Sequence, residues 1–282
     1  MISLKFVIPM CILSVLIVAF LIHAGNNFIF TTTIEISNKK VPQSFDNYTI
    51  IHVSDLHNKK FGYNQKNLIN KIKEQSPDII AITGDLIYRR SDDISNAVKF
   101  IEEIVKIAPV YFVNGNHEIQ SNNYDDIRNI LSNLGVITLE GKSLNLYREN
   151  EYITISGVND PCYYRELKKS SKDTMIYMLS KITIDKNKYN ILLSHVPHMI
   201  DLYSSFGYDL VFSGHAHGGQ FRIPFLGGIY APEQGFFPKY TSVKYKLSET
   251  TEIVSRGLGR SIIPIRIFNN PEIVLCKLKN RS

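Results

Sequence analysis

Five short stretches of the sequence contain side chains that could bind metal ions, and each follows an apolar, β-branched run. In the segment SGHAHGGQ, two histidines stand one residue apart between glycines. Such a pair alone is equally typical of a turn or of one face of a strand. The candidates become informative as a set because they recur after five predicted strands. In chain order they are Asp55 and His57, Asp85, Asn116 and His117, His195, and His215 and His217.

The donor types in this set indicate a particular chemistry. Carboxylate, amide and imidazole groups suit Mn, Fe or Zn rather than a thiolate site, and none of the three cysteines belongs to a C-x-x-C pair. Two such ions roughly 3.5–4 Å apart can share a carboxylate, clamp a phosphoryl group and generate a hydroxide nucleophile at neutral pH. The ordered set therefore predicts a dimetal site, although each piece alone is also consistent with turn or cap chemistry.

The elements that must position these residues alternate between strands and helices. Apolar runs such as YTIIHVSD and DIIAITGD predict buried strands with polar ends. Apolar residues at helical spacing predict helices over residues 64–75, 94–107 and 125–134. This alternation indicates a layered α/β fold, and ligand sites in such folds lie beyond the carboxyl ends of the strands. No repeat or linker divides residues 30–282.

The N-terminus has a different character. Residues 6–22 are apolar and uncharged, with Lys5 before them. The run is close to the lower length limit of a membrane-spanning helix, about 17 residues, and no clear cleavage site follows it. We expect residues 1–25 to be an uncleaved membrane anchor, with a cleaved signal as the alternative. Residues 26–46 would form a stalk and first strand, and residues 47–282 the catalytic domain. The positive-inside rule places that domain outside the cytoplasm.

Composition limits the partners. The 282 residues carry a formal net charge of +6, and the Lys and Arg pairs are scattered rather than gathered into a basic tract. A nucleic-acid partner is therefore not expected. The oligomeric state, and a disulfide between Cys162 and Cys276, stay open.

Taken in order, the motifs resemble those of the calcineurin-like metallophosphoesterase superfamily. They are D-x-H at residues 55–57, G-D at 84–85, G-N-H-E at 115–118, a histidine at 195 and G-H-x-H at 214–217. The resemblance covers roughly residues 48–279 and implies a four-layer αββα sandwich. It also implies two groups of metal ligands bridged by Asp85. One group is Asp55, His57 and His217, and the other is Asn116, His195 and His215.

The same resemblance gives His117 a role other than metal binding. Its side chain would face the scissile phosphate and stabilise charge or protonate the leaving oxygen, and Glu118 would orient it. The stretches GHAHGGQFRIPFLGGIYAP and RGLGRSIIPIRIFNNPEI resemble a narrower branch, the membrane-associated bacterial phosphoesterases. That branch includes envelope phosphodiesterases and a UDP-diacylglucosamine hydrolase. Arg256 and Arg266 could bind phosphate there, or they could be structural.

Residues 221–240 are rich in large apolar and aromatic residues, among them Phe221, Phe225, Leu226, Tyr230, Phe236, Phe237 and Tyr240. They could form a rim for a lipid-linked substrate or the bilayer interface, or they could simply pack under a long loop. The sequence as a whole predicts a membrane-anchored dimetal hydrolase of phosphodiester or pyrophosphate bonds in cell-envelope or lipid-linked substrates. A phosphomonoesterase or protein phosphatase is one alternative, and an anchored, non-catalytic binding protein is another.

Overall fold

The structure is a computed structural model that describes residues 4–260 and 265–281. Residues 261–264, in the second of the two C-terminal stretches, lie outside the described residues. The helices are α1 Leu4–Asn27, α2 Lys66–Lys73, α3 Ser95–Ile104, α4 Asn116–Ile119, α5 Tyr124–Asn133, α6 Ser171–Leu179 and α7 Ile200–Phe206. Besides the long strands, two small antiparallel hairpins built from two-residue strands follow His217.

Strands β1 to β9 are Phe30–Asn38, Thr49–Val53, Ile79–Thr83, Val110–Val113, Ile137–Thr138, Lys142–Arg148, Glu151–Gly157, Asn190–Leu193 and Leu210–Ser213. Strands β10 to β16 are Arg222–Ile223, Gly227–Gly228, Tyr230–Ala231, Gly235–Phe236, Val243–Leu247, Thr250–Val254 and Glu272–Asn280. Helices α2, α3 and α5 coincide with the three predicted from apolar spacing.

Two six-stranded sheets make up the centre of the fold. The first has the order β1-β16-β2-β3-β4-β5 and the second the order β14-β15-β9-β8-β7-β6. Strands β2, β3 and β4 are parallel to one another, as are β7, β8 and β9. The carboxyl ends of these strands therefore lie along one edge of each sheet, which is where the predicted ligands follow them.

Alternate residues of a strand point to opposite layers, and β2 shows how this builds the sandwich. Ile50 belongs to the apolar cluster between the two sheets, together with Phe212 of β9. Its neighbour Ile51 packs on the other side, with Leu68 of α2 and Phe100 of α3. Helices α6 and α7 cover the outer face of the second sheet. The predicted α/β class and four-layer αββα arrangement are confirmed.

The N-terminal helix ends against the sandwich. By length and composition, Phe6–Asn27 could cross a membrane. In its last turn, Ala24 accepts a hydrogen bond from Asn270 Nδ2 at 3.1 Å. Gly25 lies so close to the Arg266 carbonyl oxygen that a Cβ would stand 2.8 Å from it. Strand β1 then pairs in parallel with β16 in the first sheet. The division into anchor, stalk and catalytic domain stays a prediction.

Candidate metal centre

The seven predicted ligands all lie just beyond the carboxyl ends of parallel strands. Asp55 and His57 follow β2, Asp85 follows β3, Asn116 begins α4 after β4, His195 follows β8, and His215 and His217 follow β9. Three of these strands belong to the first sheet and two to the second. Because the sheets face each other with these ends together, residues up to 162 positions apart in the chain meet in one place.

The backbone at these residues is strained. Five of the seven have a left-handed conformation, with φ between 46° and 64°. They are Asp55, His57, Asp85, His215 and His217. A non-glycine residue in this region costs about 1–3 kcal/mol, and such strain clusters at functional sites. The turns are therefore shaped to aim side chains inward at the expense of local backbone energy.

The side chains form two groups of converging donor atoms, each group within 4.8 Å. The first is Asp55, His57, Asp85 and His217, and the second is Asp85, His195 and His215. Asp85 belongs to both, and its Oδ2 lies 3.7 Å from His57 Nε2 and 3.4 Å from His195 Nε2. All six side chains are buried. This is the arrangement expected when one carboxylate bridges two cations.

The protonation states favour cations in both groups. Burial lowers the pKa of His57 and of His215 to about 3, so both imidazoles are neutral at pH 7 and can offer lone pairs. His57 Nε2 and His217 Nε2 are 3.1 Å apart, and burial also holds the pKa of His217 well below its ordinary value. Two neutral ring nitrogens at this distance need a proton or a metal ion between them.

The second group has the same need. His215 Nδ1 lies 3.1 Å from His195 Nε2. Burial by itself would lower the pKa of His195, but the Asp85 carboxylate outweighs it and raises this pKa well above its ordinary value. Positive charge beside Asp85 is thus favoured, and a divalent ion supplies it. Asn116 Oδ1 and His215 Nε2 are buried without a hydrogen-bond partner among the described residues. The donor set therefore fits two divalent ions.

Two glycines explain how the carboxylates fit. A Cβ on Gly214 would collide with Ser54 Oγ and the Asp55 carboxylate, and a Cβ on Gly115 would collide with Asp85 Oδ1. The single N–H of the His215 amide donates a bifurcated hydrogen bond to both oxygens of the Asp55 carboxylate, each at 3.1 Å. The glycine before each polar residue thus leaves room for a ligand that comes from another strand.

His117 lies beside the donor groups and belongs to neither. Its side chain is half-buried, with Nε2 4.0 Å from Asp85 Oδ2. The Arg89 amide donates to His117 Nδ1 at 3.3 Å. Because Nδ1 accepts this bond, the proton of the neutral ring sits on Nε2. Burial lowers the pKa of His117, although Asp85 opposes this.

Glu118 is fully buried, and its carboxylate accepts hydrogen bonds from backbone amides, while orientation of His117 by Glu118 stays a prediction. Its carboxylate accepts hydrogen bonds from the amides of Asp85 and Gly115, both at 2.8 Å, and of Ile87 at 3.1 Å. These bonds join the loop after β3 to the loop after β4. Glu118 thus fixes the relative position of Asp85 and of α4, which carries Asn116 and His117.

The two candidate arginines are engaged in contacts within the fold. Arg256 Nε and Nη2 both donate to Glu272 Oε2, at 2.9 and 2.7 Å. Arg266 is buried and donates to the Gly259 carbonyl at 2.7 Å, while its Nη2 lies 3.5 Å from His217 Nδ1. Arg266 therefore supports the far side of a predicted ligand. Phosphate binding by either arginine stays a prediction.

A cavity of about 290 Å³ opens over the donor groups. Besides predicted ligands it is lined by Tyr88, Arg89, Arg90 and Pro232, none of which we identified from the sequence as a site residue. The arginines follow Asp85 by only four and five positions, so their place after a ligand-bearing strand was the available signal. Arg89 hydrogen-bonds to Gln120, whereas Arg90 is exposed.

Comparison with known proteins gives the family. Residues 48–219 match the model of the calcineurin-like phosphoesterase family. An uncharacterised metallophosphoesterase of Campylobacter jejuni is 31% identical over 93% of this chain and 68% of its own length. A transmembrane protein with a metallophosphoesterase domain from Danio rerio is 26% identical over 87% of this chain and 56% of its own length. Among solved structures, a phosphopantetheinyl hydrolase of Mycobacterium tuberculosis is 13% identical, with a TM-score of 0.47, and the alignment covers 79% of this chain and 96% of that one. The chain belongs to the calcineurin-like phosphoesterase family and is a hydrolase that depends on two divalent metal ions.

Proposed function

We propose that this phosphoesterase is anchored in a membrane by α1 and hydrolyses phosphodiester or pyrophosphate bonds of cell-envelope or lipid-linked substrates outside the cytoplasm. The observation that carries the catalytic part is the sharing of Asp85 by two buried donor groups, with His117 beside them at the cavity. The family resemblance implies a role for each of the seven predicted ligands.

The residues would divide the work as follows. Asp55, His57 and His217 would hold one ion, Asn116, His195 and His215 the other, and Asp85 both. When bound, the ions polarise phosphoryl oxygens and activate water as the nucleophile. His117 would hold a proton on Nε2 and donate it toward the leaving oxygen. Arg90, at the exposed rim of the cavity, would attract a phosphate oxygen.

A second cavity supports the lipid-linked part of the proposal. It has a volume of about 600 Å³ and shares His57 and Tyr88 with the region of the metal centre. Lys60 and Arg260 line it, as does Asn27, the last residue of α1. An anionic substrate that extends beyond the scissile phosphate would therefore find cationic side chains beside the end of the anchor. The match to a transmembrane relative also favours anchoring.

The first experiment measures metal-dependent hydrolysis by the full chain in lipid nanodiscs. The protein is stripped of metal, reloaded with Mn, Zn or Fe, and assayed with bis-p-nitrophenyl phosphate and p-nitrophenyl phosphate. We expect diester turnover in the reloaded protein. His117→Ala should bind both ions but lose about 10²–10⁴-fold in kcat, as expected for loss of a general acid.

The outcomes separate the alternatives. A preference for the monoester would favour a phosphomonoesterase or protein phosphatase. Full diester activity in His117→Ala would remove the proposed role of that residue. If the wild-type protein binds two ions yet turns over neither ester, the generic phosphodiesterase activity is contradicted.

A further inference from the structure

Six large apolar side chains project into solvent from three neighbouring loops. They are Phe225, Leu226, Phe236, Phe237, Ile267 and Phe268, and we call them the aromatic patch. Phe225 is fully exposed, and Phe236 and Phe237 are 75% and 70% exposed. The alternative that residues 221–240 simply pack under a long loop does not hold for the four patch residues in that range, because their side chains are exposed. Water-soluble proteins rarely leave a contiguous patch of this kind without a binding role.

Backbone contacts hold the three loops side by side. Phe225 and Leu226 connect β10 and β11, and Phe236 ends β13. The Phe237 amide donates to the Ile229 carbonyl at 2.8 Å, which joins the two hairpins. The Arg222 amide donates to the Ile267 carbonyl at 3.0 Å, which joins the first hairpin to the loop before β16. The loops that carry these exposed side chains are therefore neighbours on the molecule.

This surface is continuous with the end of α1. The loop that carries Ile267 and Phe268 is the loop on which the last turn of α1 rests, through Gly25 against Arg266 and Ala24 against Asn270. The apolar side chains of α1, such as Phe20, are exposed. The apolar surface of the helix thus leads directly into the aromatic patch.

We propose that the aromatic patch inserts into the interfacial region of the bilayer that α1 spans, as a second point of membrane contact. The proposal rests on the proposed anchoring by α1. Phe and Leu side chains are typical of protein surfaces that bury in the headgroup and acyl boundary of a bilayer, and burial in lipid stabilises each by roughly 25 cal/mol per Å² of apolar surface. A protein partner could also cover apolar side chains, but the direct continuity with α1 favours the bilayer.

The second contact would fix the orientation of the active site. Pro232, in the turn between β12 and β13, lines the metal cavity, and Phe236 and Phe237 lie on the other arm of the same hairpin. Insertion of the patch would therefore hold one wall of the cavity at the lipid surface. The cavity would then accept the headgroups of membrane-embedded phosphoesters without extraction of the lipid.

The chain contains no tryptophan, so a single introduced indole reports its own surroundings. We would prepare full-length Phe225→Trp and Phe237→Trp and reconstitute them in phosphatidylcholine–phosphatidylglycerol vesicles with and without brominated acyl chains. Phe20→Trp in α1 tests the anchor. Tyr147→Trp is the matched control, because Tyr147 is 72% exposed on β6, at the far edge of the second sheet.

We expect both patch variants to emit at shorter wavelength than Tyr147→Trp. Brominated lipid should quench their emission, as it should quench that of Phe20→Trp. The emission of Tyr147→Trp should be unchanged by bromination and quenched by iodide in water. Quenching of Phe20→Trp without quenching of the patch variants would overturn the patch proposal and leave the anchor intact. Quenching of the patch variants alone would support the patch and contradict the anchor, and quenching of neither would contradict both.

Discussion

In the metal centre, six Asp and His side chains are buried at the strand ends, whereas in the aromatic patch six apolar side chains are exposed on loops. Both regions reverse the usual distribution of polar and apolar residues in a folded protein. Buried carboxylates and imidazoles whose donor atoms converge within 4.8 Å are suited to a cation, and exposed aromatic rings are suited to an apolar surface. The two departures therefore point to different missing partners, metal ions in one case and, as we propose, lipid in the other.

The two regions also differ in how strongly the fold holds them. The ligands are fixed by short loops, by left-handed turns and by the three hydrogen bonds that Glu118 accepts. The patch side chains make few contacts because they project from two-residue strands and turns. Substitutions should therefore have large effects in the metal centre, and small effects in the patch until a membrane is present.

The largest effect is expected for Asp85→Asn, which removes the carboxylate common to both donor groups. Activity should fall well beyond the ~10–100-fold typical for loss of a residue that merely supports a metal ligand. Metal content, measured by mass spectrometry of the purified protein, should fall below two ions per chain. Asp126→Asn is the matched control, since Asp126 is an exposed carboxylate on α5. Retention of both ions by Asp85→Asn would break the assignment of a shared ligand.

Metal removal should have the next largest effect. At a free ion concentration of a hundred times Kd, each ion stabilises the folded state by about 2.7 kcal/mol. For a chain of this size, Tm changes by roughly 2–4 °C per kcal/mol. Removal of both ions by chelation should therefore lower Tm by roughly 10–20 °C in the wild-type protein, and by much less in Asp85→Asn. Equal shifts in the two proteins would show that the stabilising ions bind elsewhere.

His52 is a buried histidine outside the donor groups, and it gives the protein a pH dependence of stability that does not involve the predicted metal ligands. Burial lowers the pKa of His52 from 6.5 to about 3, and Thr83 Oγ1 lies 2.8 Å from its ring. Between these pKa values the unfolded chain binds more protons, so the free energy of unfolding falls as pH decreases below 6.5. The slope is about 1.4 kcal/mol per pH unit, and it vanishes above pH 6.5.

The contribution of His52 can be separated from that of the metal ligands by comparing wild type with His52→Gln. Denaturant unfolding at pH 5 and pH 7.5 should show a smaller loss of stability at low pH in the variant. An identical loss in both proteins would assign the pH dependence entirely to other groups.

The smallest effect on folding is expected in the patch. Phe225→Ser should change the free energy of unfolding in detergent by less than about 0.5 kcal/mol, because the side chain is fully exposed. Phe212→Ala, at a buried phenylalanine between the sheets, should cost about 3–5 kcal/mol in the same assay. A large loss in Phe225→Ser would mean that the patch packs against the protein itself.

The ligand set and the layered α/β fold were predictable because their signals are local. A β-branched run followed at once by Asp, Asn or His identifies a strand and its polar end within a dozen residues. Asp55, Asp85 and His215 needed no knowledge of distant contacts. Helices α2, α3 and α5 were likewise predictable, because a single amphipathic face reveals each one.

Other features depended on contacts between distant segments. Tyr88 and Arg90 line the metal cavity because the loop after β3 bends over the strand ends, and a propensity pattern carries no such information. The contact of Gly25 with Arg266 joins residues 241 positions apart. The sequence could not show whether Phe225 and Phe237 are exposed or buried, because an apolar residue in a loop looks the same in the sequence in either case.

The sequence by itself determined which donors could bind two metal ions and which strands carry them. The tertiary structure decided that Asp85 stands between both donor groups, that Glu118 joins the loops after β3 and β4, and that α1 ends against the loop that carries Ile267 and Phe268. The physical reason is the range of the interactions. Strand ends are set by neighbours along the chain, whereas ligand geometry, cavity walls and surface exposure arise only when the two sheets and α1 pack together.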